Sequence, residues 1–118
     1  MASNYFLKLD GITGESTTTG HEGAIELESW SMSVSEGSGG SSQEFTFAKR
    51  TGPASSALML ACASGQGIAK AVLTVEREMD GKIRVILRYT FTSLLVRSAN
   101  IGGGVDSFTL SYETVSKM

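Results

Sequence analysis

The stretch Ala24-Ile-Glu-Leu-Glu-Ser-Trp-Ser-Met-Ser-Val-Ser35 decides the fold, because its apolar residues change phase part-way along. Ile25 and Leu27 fall on odd positions, whereas Trp30, Met32 and Val34 fall on even ones. Successive side chains of a β-strand point to opposite faces, so one unbroken register cannot hold both groups against one core. One extra residue near Glu28–Ser29 restores the phase, and such an insertion is a β-bulge. Beyond it the strand has an oily face, Trp30, Met32 and Val34, and a face of small hydroxyls, Ser29, Ser31, Ser33 and Ser35. A solvent face is ordinarily richer in Lys, Glu and Thr. Small hydroxyls suit a channel wall or a flat contact with another chain as well as they suit plain surface, since alternation gives faces and not partners.

Working outward, most of the chain also reads as strand. Asn4 to Leu9 sets Tyr5, Leu7 and Leu9 on one face, and a glycine-rich loop follows from Asp10 to His21. Glu36-Gly-Ser-Gly-Gly-Ser-Ser-Gln43 reads as a flexible Gly/Ser loop. Glu44 to Lys49 is a strand with Phe45 and Phe47 in phase. One helix is expected over Ala54 to Ala63: Pro53 suits the first helical position, and Gly65 suits the residue that ends it. Leu58, Ala61 and Cys62 have helical spacing, which docks this helix on the sheet or plugs a barrel end. Ala69 to Glu78 and the strand after Asp80-Gly81 form a hairpin, with Ile83, Val85, Leu87, Tyr89 and Phe91 on one face and Arg84 and Arg88 on the other. Leu94 to Ala99 reads as a further strand, and Asp106 to Val115 closes the chain with Phe108, Leu110 and Tyr112 inside. Roughly seven short strands and one helix, with no βαβ alternation, make a mainly β fold, an antiparallel barrel or sandwich. Trp30, Leu58, Cys62 and Tyr89 are the expected core residues.

The composition narrows the function. The 118 residues suit one domain spanning 1–118, with 41% hydrophobic and 19% charged residues. A net charge of -2 leaves no basic footprint for nucleic acid. No apolar run approaches the roughly 18 residues that span a bilayer, so membrane insertion is not expected. The first residues, Met1 to Leu9, lack the charged and apolar regions of a signal peptide. With a single cysteine, Cys62, and a single histidine, His21, neither an intrachain disulfide nor a Cys/His zinc site of about four ligands can form.

No reaction centre is expected. Gly102-Gly103-Gly104 lacks the Lys-Ser/Thr and helix that a phosphate cradle needs, so it reads as a loop. His21 and Glu22 are adjacent, and adjacent strand residues point apart, so His21 reads as a residue ordering the Thr17–Gly23 loop. Cys62 sits on an apolar helix with no cation in the same turn to activate it. Arg84 and Arg88, on one face, could hold a carboxylate or an ion pair to a neighbouring chain. No catalytic residue, metal or cofactor is therefore assigned. A small enzyme or binding module using His21 and Glu22 remains the competing class, and it would need a second catalytic group near His21.

Several words in order resemble the haemolysin-coregulated protein family. They are Phe6-Leu-Lys-Leu-Asp-Gly-Ile-Thr-Gly-Glu-Ser16, then His21 with Ile25-Glu-Leu-Glu-Ser-Trp-Ser31, then Phe45-Thr-Phe-Ala-Lys49, Ser56-Ala-Leu-Met-Leu-Ala-Cys-Ala-Ser-Gly65 and Ala71-Val-Leu-Thr-Val75. The resemblance implies a β-barrel with one helix, copies of which form hexameric rings that stack into the inner tube of a type VI secretion system. It further implies partners: the chain itself, small effectors carried in the lumen, and the sheath and spike of the machine. The protein would assemble in the bacterial cytoplasm and be exported without a signal peptide. On this reading Ser29, Ser31 and Ser33 face the lumen, and Gly37, Gly39, Gly40 and Ser41 lie in a loop that reaches a neighbouring subunit or ring. A tail-tube subunit of a phage-like contractile device shares the implied fold. Family members usually continue beyond a strand like Phe108–Val115 with at least one more strand.

Overall fold

The phase change in Ile25 to Val34 is a bulge at Glu28. Leu27 pairs with Lys49 and Ser29 with Ala48, so Glu28 is the extra residue between them. The computed structural model describes residues 3–37 and 40–117. Along the chain run β1 (Ser3–Leu9), β2 (Ile25–Gly37), β3 (Gly40–Arg50), α1 (Pro53–Ser64), β4 (Ile68–Met79), β5 (Lys82–Asn100), β6 (Val105–Ser111) and β7 (Thr114–Lys117). The sheet order β4-β1-β2-β3-β6-β5 closes on itself through a β4–β5 pairing. The result is an antiparallel six-strand barrel with β7 added on the edge of β5. Closure leaves edges only where strands outrun their partners, which limits the aggregation hazard of an open sheet.

The barrel is filled by the inward phase of each strand. Leu7, Ile25, Phe45, Phe47, Leu73, Phe91, Phe108 and Leu110 are all fully buried. Phe45 lies 5.1 Å from Phe91, and Phe47 lies 5.5 Å from Phe108, in the tilted geometry aromatic rings prefer. Leu58 of α1 is fully buried in the same core. Trp30, Cys62 and Tyr89 are half-buried and pack on the rim of the core rather than within it. Val34, in phase with Trp30 and Met32, is exposed.

Helix α1 begins and ends where its residues dictate. Gly52 is extended, Pro53 opens the helix, and Gly65 takes a left-handed φ of 71° while its N–H bonds the Ala61 carbonyl. The buried stripe is Ala54, Ser55, Leu58 and Ala61.

Four sequence expectations are corrected. Glu36–Gln43 is not a loop throughout: β2 and β3 continue into it, with Glu36 opposite Ser41 and Gly37 opposite Gly40. Leu94–Ala99 is not a separate strand but part of the 19-residue β5, which turns at Ser93, φ 54°. Asp106–Val115 is two strands: β6 pairs with β3 and β5, and after Tyr112-Glu113 the chain turns to lay β7 along β5. Finally, Arg84 and Arg88 do not share a face. Leu87 pairs with Val75 and Val85 with Glu76, so Ile86 is an extra residue in β5. This bulge turns Ile83 and Val85 outward and sets Arg84 on the face opposite Arg88.

Candidate assembly surface

The outer face of β2, β3, β6 and the far half of β5 carries short polar side chains in register. One row is Ser29, Ala48, Ser107 and Asn100. The next is Ser31, Thr46, Thr109 and Ser98, and the third is Ser33, Glu44, Ser111 and Leu95. Directly paired residues share a face, so these rows form one continuous wall. Ser29, Ser31 and Ser33 are exposed on it, as the alternation requires. Thr46 Oγ1 and Thr109 Oγ1 are 3.1 Å apart, and Arg97 Nε donates to Ser111 Oγ at 3.0 Å. Sequence reasoning found the β2 serines but not this four-strand wall. The signal lay in Ser107, Thr109 and Ser111 alternating with Phe108 and Leu110, and only register could join it to β2.

The wall has two free edges. β1 reaches β2 only through the Tyr5–Leu27 to Leu7–Ile25 pairs, so β2 from Ser29 to Gly37 has no strand on that side among the described residues. β4 leaves β5 at Leu94, so Leu95 to Asn100 are likewise paired only to β6. Of the hairpin residues, Gly37, Gly40 and Ser41 lie in the β2–β3 ladder near its tip. Gly39 lies outside the described residues.

A buried polar network fixes α1 and the Asp10–Gly23 loop against this scaffold. Lys49 and Asp106, opposite one another on β3 and β6, are both fully buried. Lys49 Nζ bonds Ser55 Oγ at 3.1 Å and the Arg50 carbonyl at 2.5 Å, and lies 3.3 Å from Glu15 Oε1. Ser55 Oγ donates to Asp106 at 2.5 Å, Thr51 Oγ1 at 2.8 Å, and the Gly102 N–H at 3.3 Å. Burial raises the Asp106 pKa, but the hydrogen bonds from Ser55, Thr51 and Gly102 and the charge of Lys49 outweigh it, so the carboxyl sits below its ordinary value. Glu15 reaches from the loop to accept from the Ala54 N–H at 2.7 Å, capping the helix with a carboxylate. A Cβ on Gly52 would sit 2.7 Å from that carboxylate, and one on Gly14 would sit 2.3 Å from the Ala24 backbone. Gly14 is needed for close approach to backbone, whereas at Gly52 the Glu15 side chain would have to shift. Lys49 and Asp106 could have been suspected, since each is in phase with the phenylalanines of its own strand.

His21 is held by a different partner from its neighbour. Its Nε2 is 2.5 Å from Glu76 Oε2, and its ring stacks on Phe6 at 4.0 Å. Glu22 instead accepts from the Gly20 N–H. The structure thus supplies the carboxylate near His21 that the sequence spacing did not. Among the described residues no serine or cysteine side chain bonds the pair; the His21 backbone N–H bonds the Thr18 carbonyl, and its carbonyl accepts from the Ala24 N–H. A groove of about 720 Å³ runs beside this loop, and its carboxylates are already engaged: Glu15 by Lys49, Glu26 by Ser16 and Thr18, Glu28 by Arg50, Glu76 by His21. Among the described residues no cluster of three or more His, Cys, Asp or Glu could hold a metal, and no helix is long and apolar enough to cross a membrane. The pair orders the loop and completes no constellation for nucleophilic chemistry.

A barrel with a polar wall, two free edges and a strapped helix is the setting for the comparison with known proteins. A family model described as "Type VI secretion system effector, Hcp" matches residues 6–117. The chain belongs to the Hcp family. The crystal structure of Hcp1 from Salmonella typhimurium is 30% identical, with a TM-score of 0.88 over 99% of this chain and 86% of that one. Hcp2 from Salmonella typhimurium is 31% identical, with a TM-score of 0.83 over 97% of this chain and 84% of that one. A cryo-EM structure of an extracellular contractile injection system, its PVC sheath/tube terminator in the extended state, shares the fold at 14% identity and a TM-score of 0.57, covering 97% of this chain and 92% of that one. No curated protein matches the chain. Membership makes this Hcp chain a tube protein of the type VI secretion system, from a family of secreted structural proteins.

Proposed function

We propose that copies of this chain, each a single tube domain over residues 1–118, close into six-membered rings that stack into a tube, with small effectors carried in the lumen. The observation that carries the reading is the polar wall with a free edge on each side. Its four strands alternate in direction, so β2 and β5 run opposite ways. Laying the β5 edge of one copy beside the β2 edge of the next then gives another antiparallel junction, which can repeat until the ring closes. The wall, mostly Ser, Thr and Asn with Glu44, Ala48 and Leu95 among them, faces the hole, and Ser31 stands in its middle row.

On this reading the chain acts as scaffold and carrier and catalyses nothing. Its partners are itself, the effectors, and the sheath and spike of the machine. It assembles in the cytoplasm and leaves with the tube. Negative-stain electron microscopy of the purified protein at neutral pH tests the ring. Six-membered rings with a central hole are expected, and uniform single particles would sink the reading. Ser31→Gln is expected to leave rings intact and weaken effector retention in co-purification, because a longer amide crowds a wall of short hydroxyls. Loss of rings in that variant would place Ser31 at a junction instead.

A further inference from the structure

The two cavities beside the barrel differ in how far their polar groups are engaged. In the groove along the Asp10–Gly23 loop each carboxylate already has a partner. A second cavity, of about 550 Å³, borders the third row of the polar wall, where β3, β6 and β5 meet. Glu44 and Ser111 line it, together with Glu113, which follows β6, and with Ser93, Leu95 and Arg97 of β5. Its volume lies within the range of ligand pockets. Arg97 donates its Nε to Ser111 Oγ at 3.0 Å. Among the described residues neither the Glu44 nor the Glu113 carboxylate lies within ion-pair distance of a cation. Charged groups that converge on one cavity without pairing there are available to a ligand.

Two irregularities of β5 shape this cavity. Val96 pairs with Leu110 and Ser98 with Thr109, so Arg97 is an extra residue, and the bulge lets Arg97 and Ser98 both stand on the wall side. Ser93 takes φ 54°, a conformation unfavourable for any residue with a Cβ. At the other positive-φ positions among the described residues the chain uses glycine, apart from Asp80 in the hairpin turn. Glycine at 93 would let β5 turn with less strain, so the turn alone does not account for the hydroxyl there. Bulges and strained backbone gather where a side chain has to be aimed. Two carboxylates against one guanidinium leave the cavity net negative, and the half-buried Leu95 adds an apolar surface. The matching group is a cation on an aliphatic stem, its charge between Glu44 and Glu113 and its methylenes along Leu95.

We propose that the cavity bounded by Glu44, Glu113, Leu95 and Arg97 is a cargo subsite that takes a lysine or arginine side chain from the surface of a carried protein. The proposal rests on the reading that the wall faces a lumen, and it names the chemistry by which that wall holds what it carries. Fluorescence anisotropy of a dye-labelled hexalysine peptide, titrated with the full chain at low salt, tests it. Hexalysine is expected to bind, and hexaglutamate with the same label is not. Glu44→Gln with Glu113→Gln keeps the side-chain shapes and is expected to retain rings in electron micrographs. It should weaken hexalysine binding about tenfold, the loss of two exposed charge contacts. Asp10→Asn with Glu78→Gln makes the same change of net charge at exposed positions outside the cavity, and is expected to bind as the wild type does. Equal weakening in the two variants would assign the binding to overall charge and overturn the subsite. Absence of hexalysine binding, or a preference for hexaglutamate, would overturn it too. Rings that do not bind hexalysine would remove the subsite and leave the ring reading standing. Single particles that bind it through Glu44 and Glu113 but form no rings would remove the lumen, and the cargo role with it.

Discussion

Asp106 shows how much a single buried carboxylate can organise. It collects donors from β6's own neighbourhood, from the start of α1 and from the loop after β5, while Lys49 ties the same cluster to Glu15. Because its folded-state pKa is depressed from 3.8, the carboxylate contributes stability at every pH above that value. The contribution is lost as the pH falls through the folded value and the proton goes on. Asp106→Asn is expected to lower the Tm at pH 7 by about 5 °C or more, since charged hydrogen bonds outvalue neutral ones and a domain of this size shifts a few degrees per kcal/mol. Thermal unfolding followed by circular dichroism checks it. The gap between wild type and variant should be full at pH 7 and should close below pH 3.8. A gap that stays constant into acid would assign the loss to packing. Ser55 and Lys49, 3.1 Å apart, are both buried where α1 meets β3 and serve the attachment of the helix.

At the scale of the element, the two bulges behave oppositely as sequence signals. The one at Glu28 was legible because apolar residues visibly change parity across it, from Leu27 to Trp30. The one at Ile86 was not, because the apolar residues keep odd parity from Ile83 to Phe91 and Ile86 reads only as one apolar residue on the polar side. Pairing with β4 decides that register, and pairing is invisible in one strand. The limits of α1 were legible from Pro53 and Gly65. The Gly/Ser run was misjudged for a physical reason: Gly37, Gly40 and Ser41 have weak strand propensity of their own, and the ladder that starts at Ser29 carries them. The serine wall was half legible, since β2 gave its own serines while β3, β6 and β5 joined them only through register. Deleting Glu28 should remove the bulge, turn Ser29, Ser31 and Ser33 toward the core and push Trp30 and Met32 into water. A loss of up to about 3 kcal/mol is expected, less than the full cost of removing a core aromatic because Trp30 and Met32 are half-buried. Glu28→Gly, which keeps the residue count, should cost far less in the same urea titration. Equal losses would mean that the Glu28 side chain matters and the register does not.

For the whole molecule, charge and assembly are linked. Each copy carries a net charge of -2, so association brings like-charged bodies together, while the charged residues of the proposed junction wall, Glu44 and Arg97, are one of each sign. Salt screens the repulsion between copies and leaves the backbone hydrogen bonds of the proposed junction intact. The ring fraction measured by sedimentation velocity is therefore expected to hold or rise as salt goes from about 0.1 to 1 M. A fall would show that ion pairs close the ring. The barrel also has a mechanical axis. β5 is 19 residues long and is hydrogen-bonded to β4, β6 and β7 in turn. A thrust entering at one end of the molecule loads this strand along its length. Its ladders then resist in shear, with many bonds bearing the force at once, instead of peeling open one bond at a time. A projectile assembled from such units would transmit a blow without any protomer unzipping.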